Sequence, residues 1–169
     1  MFGVSGAIFF NTIKLHYMKF REKIDKILGQ LLVIIMAVMV VNVLWQVFTR
    51  FIMGTPSSFT DELARYLMIW IGVLGAAYVS GRNMHVAIDV LPSRASGPTQ
   101  RKILKLVYVI IIIFSFLALV VGGFRLVYIS YLLGQTSAAL QIPMALVYLV
   151  IPISGILIIY YKTSDFLKK

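Results

Sequence analysis

Four stretches of this chain are each about 20 residues or longer and almost wholly apolar, with charge confined to the neighbourhood of their ends. That is the length a helix needs to cross a bilayer core. They cover residues 27–51, 62–82, 103–128 and 142–161. Lipid offers no partner to a free peptide N–H or C=O, so each stretch must be helical to span. The expected fold class is an all-α membrane protein with four transmembrane helices and room for interfacial amphipathic helices. Composition agrees: 60% of the residues are apolar and 13% charged, against about 45–50% and about 25% in soluble domains. Such a chain is too apolar for a soluble enzyme or for disorder. Cysteine is absent, and the histidines are His16 and His85, so neither disulfides nor a multi-histidine haem or zinc site can be built.

The net charge of +10 reads as topology once the charges are located. Thirteen of the sixteen Lys and Arg residues lie before the first stretch, between the second and third, or after the fourth; Arg50, Arg65 and Arg125 lie on the other side. Basic residues accumulate on the cytoplasmic side, so both termini are expected there, in contact with phospholipid. No nucleic acid is expected as a partner. Residues 1–26 are expected to form a cytoplasmic or interfacial segment, and 27–169 a single membrane domain. In the former, Phe9, Ile13 and Phe20 line one helical face and Lys14 and Arg21 another. Lys14 follows the apolar stretch, the wrong order for a cleaved signal. Met18, followed by KFREKIDK, equally resembles a natural start, which would make residues 1–17 dispensable. There is no internal repeat, and Pro92–Thr99 (PSRASGPT) reads as a hinge-like turn.

Polar groups inside a membrane are costly and carry most of the information. Asn42, Gln46 and Arg50 fall at i, i+4 and i+8 on one face of the first helix. They are read either as intramolecular packing, with Arg50 snorkelling, or as a subunit contact. The second helix opens with SSFTDELARYL, where Ser58 or Thr60 is a candidate N-cap and Asp61 and Glu62 complement the dipole. Glu62 and Arg65, at i and i+3, are expected to pair, and with Arg50 to form a network near the outer surface. Gly72, Ala76 and Ser80 form a small-residue row expected to pack against a neighbouring helix. Ser115, Ala118 and Gly122 give the third helix a similar face carrying Arg125, which lies at the level of Glu62. Pro152 is expected to kink the fourth helix by freeing the Tyr148 carbonyl, and Tyr160, Tyr161 and Lys162 read as an interfacial anchor. His85 and Asp89, at i and i+4, read as a cytoplasmic helix end; two ligands make no metal site.

No acidic residue stands inside an apolar run, and no nucleophile–base pair or ligand cluster is visible. A secondary transporter is expected to carry a midplane site, interrupted helices and repeats. The residues therefore describe an accessory scaffold with no catalytic, metal or cofactor site of its own. The alternative is an independent small homo-oligomeric membrane transporter.

The segment Thr60–Leu91 resembles the small membrane subunit, the DctQ type, of tripartite ATP-independent periplasmic (TRAP) transporters. The matching positions are Asp61, Glu62, Leu63, Ala64, Arg65, His85, Asp89 and Leu91, with Gln46, Arg50 and the stretch Ser137–Pro143 (SAALQIP). The likeness runs over about Phe20–Asp165; one departure is Ala87, where a basic residue is expected. The resemblance implies two partners, a large multi-helix membrane subunit that carries the transport path and a periplasmic substrate-binding protein. It also implies that sodium is used by the large subunit, and not by this chain. Organic acids such as dicarboxylates or sialic acids are the implied substrates, and the bacterial inner membrane the implied location. This chain would brace the large subunit and help to dock the binding protein.

Overall fold

The first apolar run lies within one unbroken helix, α1 (Gly3–Phe51), in a computed structural model that describes residues 3–54, 57–82 and 98–168. Side chains are described over 21–54, 57–82 and 103–166. On α1, Leu28, Ile35, Asn42 and Thr49 are buried, and Arg21 heads the same seven-residue series. Leu32, Met39 and Gln46 alternate with them, half-buried. Steps of three and four residues keep a helical stripe on one face, the pattern of a coiled-coil seam. Here the stripe lies against α2 (Ser58–Gly81).

The third span is made of α3 (Pro98–Phe114), a π-helical segment (Ser115–Val121) and α4 (Gly122–Leu132). The fourth is made of α5 (Met144–Tyr148) and α6 (Val150–Lys168). The break between these last two falls at Leu149, three residues before Pro152, where the expected kink has its cause. The Trp70 indole N–H donates to the Val147 carbonyl at 3.2 Å, so α2 supplies a hydrogen bond at this interruption.

Among the described residues, four helices are thus long and apolar enough to cross a membrane: Arg21–Phe51, Ser58–Gly81, Ile103–Leu132 and Met144–Phe166. They stand in a row, not a closed bundle. α2 lies between α1 and α6, and α6 lies between α2 and the third span. Apolar packing centres on Leu28, Ile35, Leu74 and Val150, with Trp70, Tyr78 and Leu157 against them. The two spans at the ends of the row keep broad apolar faces uncovered, including Val41, Leu44, Phe114 and Leu117.

Within the row α6 approaches the π segment very closely. A Cβ on Gly155 would lie 2.7 Å from Leu119 Cβ and 3.0 Å from Val120 Cγ2. Ser115, which opens the π segment, and Gly123, just beyond it, are both buried. The row expected from Ser115, Ala118 and Gly122 is therefore not one face: Ser115 is buried, and the other two are exposed. Gly155→Ala should lower stability by about 1–3 kcal/mol through overpacking. Gly72→Ala, where a Cβ meets open space, should leave stability unchanged or slightly raised. Thermal unfolding in detergent reads the difference, and equal midpoints for the two variants would contradict this packing.

Candidate functional site

Lipid leaves a helix terminus no choice but to find its partners within the protein. The polar residues of this chain gather accordingly at the two ends of α2. At the N-terminal end, Asn42 is buried and donates its amide to the Thr60 carbonyl at 2.8 Å. Gln46 donates to Asp61 at 3.2 Å, and Thr49, not Arg50, completes the stripe by donating to the Gln46 carbonyl at 3.0 Å. The N-cap position falls at Ser57, and not at Ser58 or Thr60 as expected, and its carbonyl accepts from the Thr60 hydroxyl at 2.9 Å.

Glu62 does not pair with Arg65. Arg65 instead donates to Asp61 at 3.2 Å, an exposed i, i+4 pair of acid before base. Glu62 turns to the loop between the third and fourth spans. Its carboxylate accepts the backbone N–H groups of Ala138 (3.1 Å), Ala139 (2.8 Å) and Leu140 (3.1 Å), and the Tyr66 hydroxyl (3.0 Å). Successive N–H groups in a turn make an anion-binding concavity, and charged acceptors give the stronger hydrogen bonds.

The loop is shaped to present those groups. α4 closes in a Schellman motif, in which the Gly134 N–H donates to the Tyr131 carbonyl at 3.1 Å and the Gln135 N–H to the Ser130 carbonyl at 3.1 Å. Gly134 takes the positive φ of 58° that this motif needs. An antiparallel bridge between Thr136 and Pro143 then ties the two ends of the loop, leaving Ala138, Ala139 and Leu140 at its tip. Gln141, with φ 55°, reverses the chain. Two segments that carry the family resemblance, Asp61–Arg65 and Ser137–Pro143, therefore meet through Glu62.

The expected network of Arg50, Glu62 and Arg65 is not formed, because the i+3 cation is outcompeted by the three N–H groups of a distant loop. Arg50 and Arg125 are exposed and bond to no described residue, so Arg125 and Glu62 are not linked either. The small-residue row does not meet one neighbour throughout. Gly72 and Ala76 wall a cleft of about 370 Å³ between α2 and the third span, floored by Ser154 and Ile158 of α6, and only Ser80 is buried. His85, Asp89 and Ala87 lie outside the described residues.

The other end of α2 rests on residues that the sequence analysis places at the membrane interface or does not single out. Arg21 donates to Asp165 at 2.7 Å and to the Gly81 carbonyl, and stands 5.4 Å from the centre of the Tyr161 ring. Lys162 donates to the Ser80 carbonyl at 3.1 Å and lies 5.4 Å from the Tyr108 ring centre. The Tyr161 hydroxyl donates to Asp25. Two cations thus hold the last carbonyls of α2, where the helix dipole favours positive charge. Tyr161 and Lys162 are buried, so they are not the interfacial anchor expected from the sequence. The signal available for them is the apolar character of Ile158 and Tyr161 on the same face as Lys162 and Asp165.

Glu62→Gln should free the loop. The variant keeps one acceptor oxygen but sets an NH2 group against the loop N–H groups. Amide exchange at Ala138, Ala139 and Leu140 should accelerate by about tenfold or more, while amides in the middle of α2 keep their protection. Unchanged loop protection, read by hydrogen exchange with mass spectrometry, would remove Glu62 as the strap.

Comparison with known proteins gives the same direction. The family described as Tripartite ATP-independent periplasmic transporters, DctQ component, matches residues 39–169. A Haemophilus influenzae protein assigned as a TRAP transporter small permease is 29% identical over 80% of this chain and 82% of its own length. The C4-dicarboxylate TRAP transporter small permease protein DctQ of Rhodobacter capsulatus is 33% identical over 63% of this chain and 47% of its own. The sialic acid TRAP transporter small permease protein SiaQ of Vibrio cholerae is 32% identical over 62% of this chain and 60% of its own. This family is a component of transporters and not of enzymes. Glu62, its loop and the second, third and fourth spans lie within the matched region, as does the end of the first, and the chain belongs to the DctQ family of small TRAP transporter subunits.

Proposed function

We propose that this chain is a static brace in a sodium-coupled, binding-protein-dependent importer of organic acids. The large membrane subunit carries the solute and the sodium. This chain widens the scaffold on which that subunit moves, and its Glu62-strapped loop end helps to receive the periplasmic binding protein. Both termini face the cytoplasm, across the bacterial inner membrane. The observation that carries this reading is the row of four helices, whose polar side chains close helix ends and whose broad apolar faces are left for neighbours. A brace needs rigid ends and free faces, and these are the features present. Dicarboxylates and sialic acids are the proposed substrate classes because two relatives carry those names. The basic residues on the side of the termini support the orientation.

Reconstitution tests the assignment. Proteoliposomes holding this chain with its large membrane subunit should take up a dicarboxylate or sialic acid only when an inward sodium gradient and the binding protein are supplied. Uptake by this chain alone would overturn the brace and favour a small independent transporter. Orientation is tested separately, since the chain has no native cysteine. A single cysteine in place of Gln135 should react with a membrane-impermeant maleimide from the periplasmic side; reaction only from the cytoplasmic side would invert the topology.

A further inference from the structure

The third and fourth spans are both interrupted, and the two interruptions touch. In the third, the π-helical segment ends at Val121, and Gly122 and Gly123 open α4. In the fourth, α5 stops at Tyr148 and α6 starts at Val150, with Pro152 in its first turn. Gly123 is buried against this second break: a Cβ there would lie 2.9 Å from Pro152 Cδ and 3.0 Å from Ile151 Cγ2. π turns, Gly pairs and Pro are the places where helices bend most readily.

Beyond the breaks, residues 122–148 form a hairpin of their own. α4 and α5 pack on each other, and the Thr136–Pro143 bridge closes the loop between them. None of these residues belongs to the apolar cluster of Leu28, Ile35, Leu74 and Val150, or to the side chains packed on it. Three side chains of α2, at successive four-residue steps, reach the hairpin instead. Glu62 accepts the N–H groups of its tip, the Tyr66 hydroxyl stands 3.3 Å from Met144 Sδ, and Trp70 bonds the Val147 carbonyl. These attachments do not resist a tilt equally. α4 gives a lever of about 16 Å, so a tilt of about 10° at the breaks carries the tip through about 3 Å. That parts the tip from Glu62. Val147 stands beside the break and barely moves.

We propose that residues 122–148 are a hinged arm, which pivots as one body where Gly123 meets Pro152 and is latched to α2 at its tip by Glu62. The inference goes beyond the brace. Latched, the arm is the rigid end that a brace requires; released, it tilts while α1, α2 and α6 stay packed. Trp70, bonded next to the pivot, keeps the arm in place through the motion.

The test measures two distances between spin labels in the full chain in lipid nanodiscs, using introduced cysteines because the chain has none of its own. Labels at Arg50 and Gln135 report the tip against α1, and labels at Tyr128 and Leu146 report the inside of the arm; all four positions are exposed. Glu62→Gln should shift or widen the first distance by about 3 Å, the displacement of a tilt of about 10° over this lever, and leave the second unchanged. Asp61→Asn, at a neighbouring acid whose partners are Gln46 and Arg65, should alter neither. Adding Pro152→Ala to Glu62→Gln returns an N–H towards the Tyr148 carbonyl and should narrow the first distance again. An unchanged first distance in Glu62→Gln, or an equal shift in Asp61→Asn, would remove Glu62 as the latch. A change in both distances would overturn the arm, because the hairpin would then have come apart instead of turning. A first distance that stays wide with Pro152→Ala would overturn the pivot.

Discussion

The final carbonyls of α2 are buried away from water, and they are met by cations from α1 and α6. Arg21 reaches Gly81 and Lys162 reaches Ser80. Each cation is in turn placed by an aromatic ring, Tyr161 or Tyr108, and Arg21 also by Asp165. A membrane helix ending without such partners would leave peptide groups unpaired at a cost of several kcal/mol apiece. The close approach that makes this possible depends on Gly81: a Cβ there would lie 2.7 Å from the Tyr161 ring. At the opposite end Asn42 and Glu62 do the corresponding work, one on the helix backbone and the other on the loop beside it. α2 is therefore held at both ends by groups from its neighbours, and the remaining helices are arranged around it and α6.

This arrangement explains why the molecule is a row. Ionic and hydrogen-bonding groups fix the ends, so little apolar enclosure is needed along the sides, and lipid is as apolar as any side chain that might replace it. Only α2 and α6 have neighbours on both sides. The close packing lies there too, where Gly155 meets Leu119 and where Trp70 reaches the interrupted backbone at Val147.

The spans were readable in the sequence because a bilayer imposes length and apolarity on consecutive residues. Asn42 and Gln46 were readable because a polar residue in such a run is conspicuous. Extending them by another four residues to Arg50 misleads. At about 100° per residue, each four-residue step drifts by about 40°, and the stripe returns to its face through the three-residue step to Thr49. Glu62 stands out as a membrane-end acid, but its partners lie 76 to 78 residues away and are backbone groups, which carry no side-chain signature. Arg21 and Lys162 belong to clusters that mark topology, and only three-dimensional packing separates the half-buried Arg21 from the exposed Lys23 and Lys26, or shows that Lys162 is buried. The π segment has no mark in a run of Ser, Phe, Leu, Ala and Val, and it is where Gly155 of α6 comes close.

The pairing of Arg21 with Asp165 spans 144 positions of sequence and so joins α1 to α6. During synthesis α1 and α2 emerge before α6, so Arg21 can reach the Gly81 carbonyl while Asp165, the Tyr161 hydroxyl for Asp25 and Lys162 for the Ser80 carbonyl are still to come. Until α6 docks, Asp25 and the Ser80 carbonyl stand unmet beside one another, so the closing of this corner waits on the one helix that carries Tyr161, Lys162 and Asp165 together.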